Sequence, residues 1–183
     1  MRLTAGALAP AIATTDHQAR PIELSGARQH AVLLSFYRYA SCPICNLRVH
    51  ELTQAQPVLA ELGLALIAVF QSPATTITDY VGKRPLPFPI IADPSMALYR
   101  DYGVESTWRG LFSWKVLTRA LKAFASGYAP GRIDGPVDRV PADFLIDQQG
   151  RIAIAHYGRD IDDHLPLATI EAWLRAQPAT QAT

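Results

Sequence analysis

Two cysteines separated by two residues constrain this chain more than any other feature. Cys42 and Cys45 are its only cysteines, and they follow a largely apolar run, 31–36, which predicts a buried strand. The residues after Cys45 have helical periodicity, so the pair is expected at a turn from strand to helix. A Cys-x-x-Cys pair at such a junction is typical of thiol redox sites, and redox chemistry is therefore the first hypothesis.

Pro43, one of the two residues between the cysteines, predicts how the two thiols differ in reactivity. Pro43 suits the first turn of a helix, where its missing N–H would have no partner, and this places Cys42 at the cap position. Free amides and the helix dipole favour the thiolate there, so we expect a lowered pKa and a nucleophilic Cys42. Cys45 lies about one turn deeper, close enough to resolve a disulfide formed on Cys42.

Two other uses of the cysteines stay open. Zinc takes four ligands, and the sequence has no second Cys-x-x-Cys and no paired spacing among its five histidines. A set of Cys42, Cys45, His50 and a distant histidine remains a candidate, and inert burial of both thiols is the other alternative. We predict no metal and no organic cofactor, because no glycine-rich phosphate loop occurs.

Composition limits the class of protein. A chain of 183 residues suits a single domain, 1–183, and 49% hydrophobic against 18% charged residues predicts an extensive core. The net charge of +1 gives no overall attraction to nucleic acid or to a membrane. No segment is apolar enough to span a bilayer, and Pro10 interrupts the N-terminus too early for a secretory signal. We therefore expect a cytoplasmic protein.

The predicted elements give an α/β fold with a central mixed sheet flanked by helices and preceded by an N-terminal extension. The extension is expected to form a hairpin of edge strands. Strands are predicted at 30–37, 64–70, 88–92, 142–147 and 151–156, the last two joined as a hairpin. Helices are predicted after Cys45, after 72–73, after 93–94 and at the C-terminus, where Asp163 is the expected cap. Pro57 predicts a kink or a split in the first helix.

The regular alternation stops at an insertion, 104–138. It contains an amphipathic helix and then a loop rich in glycine and proline. The apolar face of the helix is formed by Trp114, Leu117, Leu121 and Phe124, and its basic face by Lys115, Arg119 and Lys122. The helix has four candidate uses: packing on the core, forming a lid over Cys42, forming the interface of a homodimer, or attracting an anionic partner.

Several motifs resemble the AhpC/TSA, or redoxin, branch of the thioredoxin-fold superfamily. They are Leu3-x-x-Gly6-x-x-Ala9-Pro10, Asp16, Ile22-x-Leu24, Phe36-Tyr37 and Phe144-Leu145-Ile146-Asp147-x-x-Gly150-Arg151-Ile152, in this order around Cys-Pro-x-Cys. The resemblance covers most of the chain. It implies a thioredoxin-like, peroxiredoxin-like fold and an oxidoreductase reduced by an external thiol protein or by a glutathione-like thiol.

Two departures from the family pattern affect the substrate. Typical peroxiredoxins have Pro-x-x-x-Thr-x-x-Cys, whereas Ser35 and Tyr39 occupy the proline and threonine positions here. The arginine that many members carry six residues before Asp147 is replaced by Pro141. The pair Val140-Pro141 instead resembles the cis-proline loop of thiol-disulfide reductases, which implies a cis peptide and a substrate groove at these two residues.

Arginine is the most informative of the other candidate residues. Arg38, four residues before Cys42 at the end of a strand, is predicted to stabilise the thiolate or orient peroxide. Arg48 is a second candidate that is expected to face solvent, and Arg139 is a third near Pro141. Tyr39 is predicted either to bind substrate oxygen or to pack. His156, near Asp160, is expected to be a hydrogen-bonded structural residue.

Three functions are compatible with these residues. The first is peroxide reduction by the Cys42 thiolate, with Cys45 resolving the sulfenic acid as a disulfide. The alternative is reduction of substrate disulfides by the same pair. A non-catalytic, redox-responsive binding module that uses the basic face of the insertion is the second alternative.

Overall fold

A computed structural model describes residues 1–104, 118, 121, 123–125, 127, 131 and 133–177. The strands are β1 (Ile12–Thr15), β2 (Pro21–Leu24), β3 (Ala31–Phe36), β4 (Leu64–Phe70), β5 (Ile90–Ala92), β6 (Ala142–Ile146) and β7 (Ile152–Tyr157). The helices are α1 (Pro43–Glu61), α2 (Ala74–Asp79), α3 (Ala97–Asp101) and α4 (Leu167–Ala176). Each predicted strand and helix outside the insertion is present, with ends shifted by a few residues.

The central sheet has five strands in the order β5-β4-β3-β6-β7. β3 pairs in parallel with β4, and β4 in parallel with β5, whereas β6 and β7 are antiparallel additions on the other side. All six residues of β3 are buried, because helices or loops cover both of its faces. This mixed sheet confirms the predicted α/β class, and β1 and β2 form the predicted separate hairpin.

Alternation along β3 sends side chains into two cores. Leu33 and Tyr37 contact the core shared with α1, while Leu34 and Phe36 contact the opposite core. The second core is aromatic, since the ring of Phe36 lies within 5.8 Å of three other rings, those of Tyr99, Tyr102 and Phe144. The end of β3 is therefore held rigidly at the point where the chain turns toward the cysteines.

Helix α1 is continuous through Pro57, so the predicted split does not occur. Leu52 and Leu59 lie on either side of the proline and are both buried in the α1 core, which anchors the two halves of the helix. The helix ends as expected at Gly63, whose φ of +79° suits glycine.

The predicted cap of the last helix is wrong. Helix α4 begins after Pro166, which occupies the cap position with extended backbone. The carboxylate of Asp163 instead accepts a hydrogen bond from the Arg159 N–H at 2.9 Å and lies 3.1 Å from His156 Nε2. The fixed φ of proline therefore determines where the helix starts.

The predicted apolar face of the insertion is not buried where the structure describes it. Residues 118, 121 and 123–125 are helical, but Leu121 and Phe124 are 64% and 57% exposed, and Ala123 is the buried residue. Leu121 and Phe124 therefore do not pack on the core as predicted. Trp114, Lys115, Leu117, Arg119 and Lys122 lie outside the described residues.

Within the described ranges, no helix has the length and apolar character needed to cross a bilayer.

Candidate active site

The two cysteines lie where β3 ends and α1 begins, as predicted. Cys42 occupies the cap position with φ −69° and ψ 118°, and Pro43 is the first helical residue. Both thiols are free, and both residues are buried, at 2% and 3% exposure. Cys45 is predicted to lie further from solvent than Cys42, whereas the structure buries the two residues almost equally.

The Cys42 sulfur is the more readily ionised of the two thiols. The Cys45 thiol donates a hydrogen bond to it, and this contact is the largest influence on its pKa. Burial opposes ionisation, but the Arg38 guanidinium and the Ile44 and Cys45 amides favour the thiolate, lowering the Cys42 pKa to about 7. These amides act through the helix N-terminus, although Cys42 closes no side-chain capping hydrogen bond.

Cys45 has the opposite tendency. Burial raises the pKa of its thiol well above the usual value, and the neighbouring Cys42 raises it further. Cys42 therefore ionises first, while Cys45 keeps its proton and donates it toward the thiolate. This asymmetry supports the predicted division into an attacking and a resolving cysteine.

Arg38 lies beside the nucleophile. Its Nη1 is 3.9 Å from Cys42 Sγ, and its Nη2 donates a hydrogen bond to the Val137 carbonyl oxygen. The residue is only 5% exposed, and its guanidinium carbon lies 5.0 Å from the centre of the Tyr39 ring. A buried cation next to the sulfur stabilises negative charge there, so the structure places Arg38 where the sequence predicted it.

Tyr39 packs beneath this guanidinium rather than facing open solvent. Burial raises the pKa of its phenol, and the adjacent Cys42 raises it further. The hydroxyl therefore stays protonated at neutral pH. Its predicted contact with substrate oxygen stays a prediction.

The expected cis-proline loop is absent. No described peptide bond is cis, so the Val140–Pro141 bond is trans, as about 95% of X-Pro bonds are. Both residues are buried, and the Pro141 carbonyl accepts the Gly158 N–H at 2.8 Å. Val140 and Pro141 are thus part of the packed sheet end, and a role for them in binding substrate stays a prediction.

Arg139 contacts groups other than the cysteines. Its Nη1 donates to the Val104 carbonyl at 2.6 Å, its Nη2 lies 3.0 Å from the Met96 sulfur, and it covers the Tyr99 ring. These partners belong to the core on the far side of the sheet from α1. Arg139 therefore does not replace the family arginine at Cys42.

Arg48 and His156 also have structural partners. Arg48 is 6% exposed rather than solvent-facing, and its Nη2 donates to the Leu165 carbonyl at 2.7 Å. His156 contacts the Asp163 carboxylate at 3.1 Å and not Asp160. The structural role predicted for this histidine agrees with that contact.

Sequence reasoning missed a buried contact between a carboxylate and a histidine. Asp143 is fully buried, and its carboxylate lies 3.0 Å from His164 Nδ1 and accepts the Leu165 N–H at 2.7 Å. Burial alone would raise its pKa, but His164 and Arg48 outweigh burial and hold the pKa below its usual range. The sequence did contain a signal, since Ser35 and Asp143 are polar residues inside two apolar runs. The two residues lie opposite each other on β3 and β6.

The difference in burial between His50 and the two cysteines argues against the zinc alternative. His50 is exposed, whereas both cysteines are buried. In the part of the chain that the structure describes, no three His, Cys, Asp or Glu side chains are grouped as metal ligands. The thiols are instead engaged with each other and with Arg38.

Comparison with known sequences identifies the family. A family model described as AhpC/TSA matches residues 5–155. This chain belongs to the AhpC/TSA family. A Haemophilus influenzae protein named as a peroxiredoxin, bcp, is 28% identical over 102 residues, which are 56% of this chain and 66% of that protein. A Mycobacterium tuberculosis protein also named as a peroxiredoxin is 22% identical over 90% of this chain and 91% of its own length.

Two solved structures share the fold of this chain. The crystal structure of peroxidoxin BcpB from Mycobacterium tuberculosis has a TM-score of 0.69 at 16% identity, covering 97% of this chain and all of that one (100%). A thiol:disulfide interchange protein, DsbE, from Chlorobium tepidum has a TM-score of 0.62 at 19% identity, covering 96% and 95%. The AhpC/TSA protein is thus an oxidoreductase with a thioredoxin-like fold and a thiol redox function.

Proposed function

We propose that this AhpC/TSA protein is a thiol peroxidase. The Cys42 thiolate attacks one peroxide oxygen, the O–O bond breaks, and the departing oxygen leaves as hydroxide or alkoxide and takes up a proton. The Cys42 sulfenic acid then condenses with the Cys45 thiol, which forms a disulfide and releases water. An external thioredoxin-like or glutathione-like thiol returns both sulfurs to the reduced state.

One observation carries the proposal: a buried guanidinium lies beside a thiol with a lowered pKa. Arg38 Nη1 is 3.9 Å from Cys42 Sγ, and both residues are at most 5% exposed. Negative charge moves from sulfur to the leaving oxygen during the attack. A cation fixed in a water-poor site stabilises that charge without rearranging.

The burial of Cys42 favours a small oxidant. Because Cys42 is only 2% exposed, a molecule the size of hydrogen peroxide needs less opening to reach its sulfur than a folded protein disulfide does. Val140 and Pro141 are also both buried, and the peptide bond between them is trans. Both observations support peroxide over a protein substrate.

Disulfide reduction is the second candidate. The Cys-Pro-x-Cys sequence favours it, because the buried Cys45 can release a mixed disulfide from Cys42. The binding-module alternative depends on Lys115, Arg119 and Lys122, which lie outside the described residues.

Rapid mixing decides between the first two functions. Fully reduced protein is mixed separately with hydrogen peroxide, tert-butyl hydroperoxide and glutathione disulfide, and the loss of free thiol is followed. We expect at least one peroxide to react about 10²-fold or more faster than free cysteine at the same pH, because Arg38 is preorganised. Rates with both peroxides equal to that of free cysteine, alongside rapid reaction with the disulfide, would contradict the peroxidase and support the reductase.

A further inference from the structure

A short segment of the insertion lies against the active site, and we call residues 133–139 the strap. Three hydrogen bonds hold the strap to the ends of β3 and β4. Ser72 Oγ donates to Asp134 Oδ1 at 2.6 Å, Gln71 Nε2 donates to the Pro136 carbonyl at 2.9 Å, and Arg38 Nη2 donates to the Val137 carbonyl. Because the same guanidinium contacts Cys42 Sγ, the strap lies one side chain away from the nucleophile.

The Asp134 contact continues to the backbone before the cysteines. The N–H of Ala40 donates to Ser72 Oγ at 2.8 Å, and that hydroxyl donates in turn to Asp134. Both Ala40 and Ser72 are fully buried. Asp134 is therefore connected to the turn that presents Cys42, although it lies more than ninety residues further along the chain.

Glycine allows the strap to approach this closely. A Cβ at Gly135 would lie 2.4 Å from Gln71 Nε2 and 2.8 Å from its Cδ. Gln71 is 1% exposed and is bonded to the strap, so its side chain cannot simply turn into solvent. Any larger residue at 135 would push the strap away from the site.

Several buried polar atoms at the strap lack hydrogen-bonding partners. Among the described residues, Arg38 Nε, Gln71 Oε1 and Asp134 Oδ2 are buried and have no hydrogen-bonding partner in the protein. Unpaired buried polar atoms disfavour the arrangement that buries them. Arg139 anchors the C-terminal end of the strap through Val104 and Met96, whereas residues 134–137 are held by the three hydrogen bonds above. The unpaired groups gain partners from water when this part lifts, so it is suited to open and close.

We propose that the strap filters substrates by size and that Asp134 is the residue that determines this specificity. The inference rests on the proposed function and adds the substrate class to it. With Asp134 bonded to Ser72, the site admits peroxide-sized oxidants and excludes bulky disulfides and proteins. Release of Asp134 opens the site, which is the state that a protein reductant of the Cys42–Cys45 disulfide requires.

The test compares two reagents with the same reactive group and different bulk. Reduced Cys45→Ser protein, in which only Cys42 reacts, is treated with N-ethylmaleimide and with a maleimide carrying a long polyethylene glycol chain. The ratio of the two alkylation rates measures access, because any change in the reactivity of the sulfur affects both reagents equally. We expect a ratio far below that of a short cysteine peptide.

Two variants open the strap by different means. Asp134→Asn removes the charge from its bond with Ser72, and Gly135→Val inserts a side chain against Gln71. Each is expected to raise the bulky-to-small ratio by about tenfold, because a hydrogen bond to a neutral acceptor is roughly half as strong as one to a charged acceptor, and because the valine side chain clashes with Gln71. Asp79→Asn, at an exposed aspartate that ends α2, is the matched control and should leave the ratio unchanged.

The outcomes distinguish a failure of the size filter from a failure of the proposed peroxidase. A parent ratio equal to that of the peptide, or no change in either strap variant, would overturn the size filter even if wild-type protein reduces peroxide. A low parent ratio that rises in both variants would support the size filter, whatever the rate with peroxide. A reaction with peroxide no faster than that of free cysteine would overturn the proposed peroxidase but not the filter.

Discussion

Replacing Cys42 with serine is expected to abolish peroxide consumption, with a loss of at least about 10³-fold in rate, because the pKa of the one remaining thiol, Cys45, is raised well above its usual value. A serine hydroxyl at this position stays protonated at neutral pH, so Arg38 and the helix amides have no anion to stabilise. The measurement is peroxide loss under single-turnover conditions with pre-reduced protein. A Cys42→Ser variant that retained about a tenth of the wild-type rate would contradict the role of Cys42 as the nucleophile.

Cys45→Ser is the matched control for this experiment. It should consume about one equivalent of peroxide and stop at a Cys42 sulfenic acid, which a dimedone adduct identifies by mass spectrometry. Its first step should also slow, because the Cys45 thiol is the largest influence that lowers the Cys42 pKa. If Cys45→Ser turned over repeatedly with wild-type efficiency under a protein dithiol reductant, Cys45 would not be the resolving residue.

The largest expected effect on stability comes from Asp143. Asp143→Ala should lower the free energy of unfolding by about 3–5 kcal/mol, since it leaves His164 Nδ1 and the buried Leu165 N–H without the carboxylate that they contact. Urea denaturation followed by circular dichroism measures the change. Asp143→Asn keeps an acceptor for the Leu165 N–H and should lose less, and exposed Asp79→Ala should change the free energy by no more than about 0.5 kcal/mol. Equal effects of Asp143→Ala and Asp79→Ala would show that the pair contributes nothing.

The pH dependence of this effect follows from the lowered pKa of Asp143. Its folded-state pKa lies below the unfolded value, so its stabilisation is present above the unfolded pKa of about 3.9 and is lost as the pH falls toward the folded value. The difference in stability between wild type and Asp143→Asn should therefore shrink below about pH 4. A difference that grew on acidification would contradict the assignment.

Local patterns determined the parts of the fold that were predicted correctly. β3 and β4 are nearly continuous apolar runs between polar turns, which is the pattern typical of strands covered on both faces. The position of Cys42 was equally local, because Pro43 fixes where α1 begins. Arg38 could be placed for the same reason, since it follows the end of β3 by two residues.

The incorrect predictions concern contacts between distant residues. Ser72 and Asp134 are 62 residues apart, and Asp143 and His164 are 21 apart, so no periodicity connects either pair. The expected cis peptide at Pro141 rests on the family resemblance, and the bond here is trans. The contact of Arg38 with the strap joins residues 99 apart in the chain, so it too has no local signal.

The pKa of Cys42 tests the central claim most directly. Reduced wild-type protein is alkylated with iodoacetamide across a pH series, and the rate at Cys42 is read from the modified peptide by mass spectrometry. The account predicts a midpoint at about 7, because the Cys45 thiol, Arg38 and the helix amides together outweigh burial. A midpoint at or above the free-cysteine value of about 8.5 would contradict it, since the thiolate would then have no physical basis for activation.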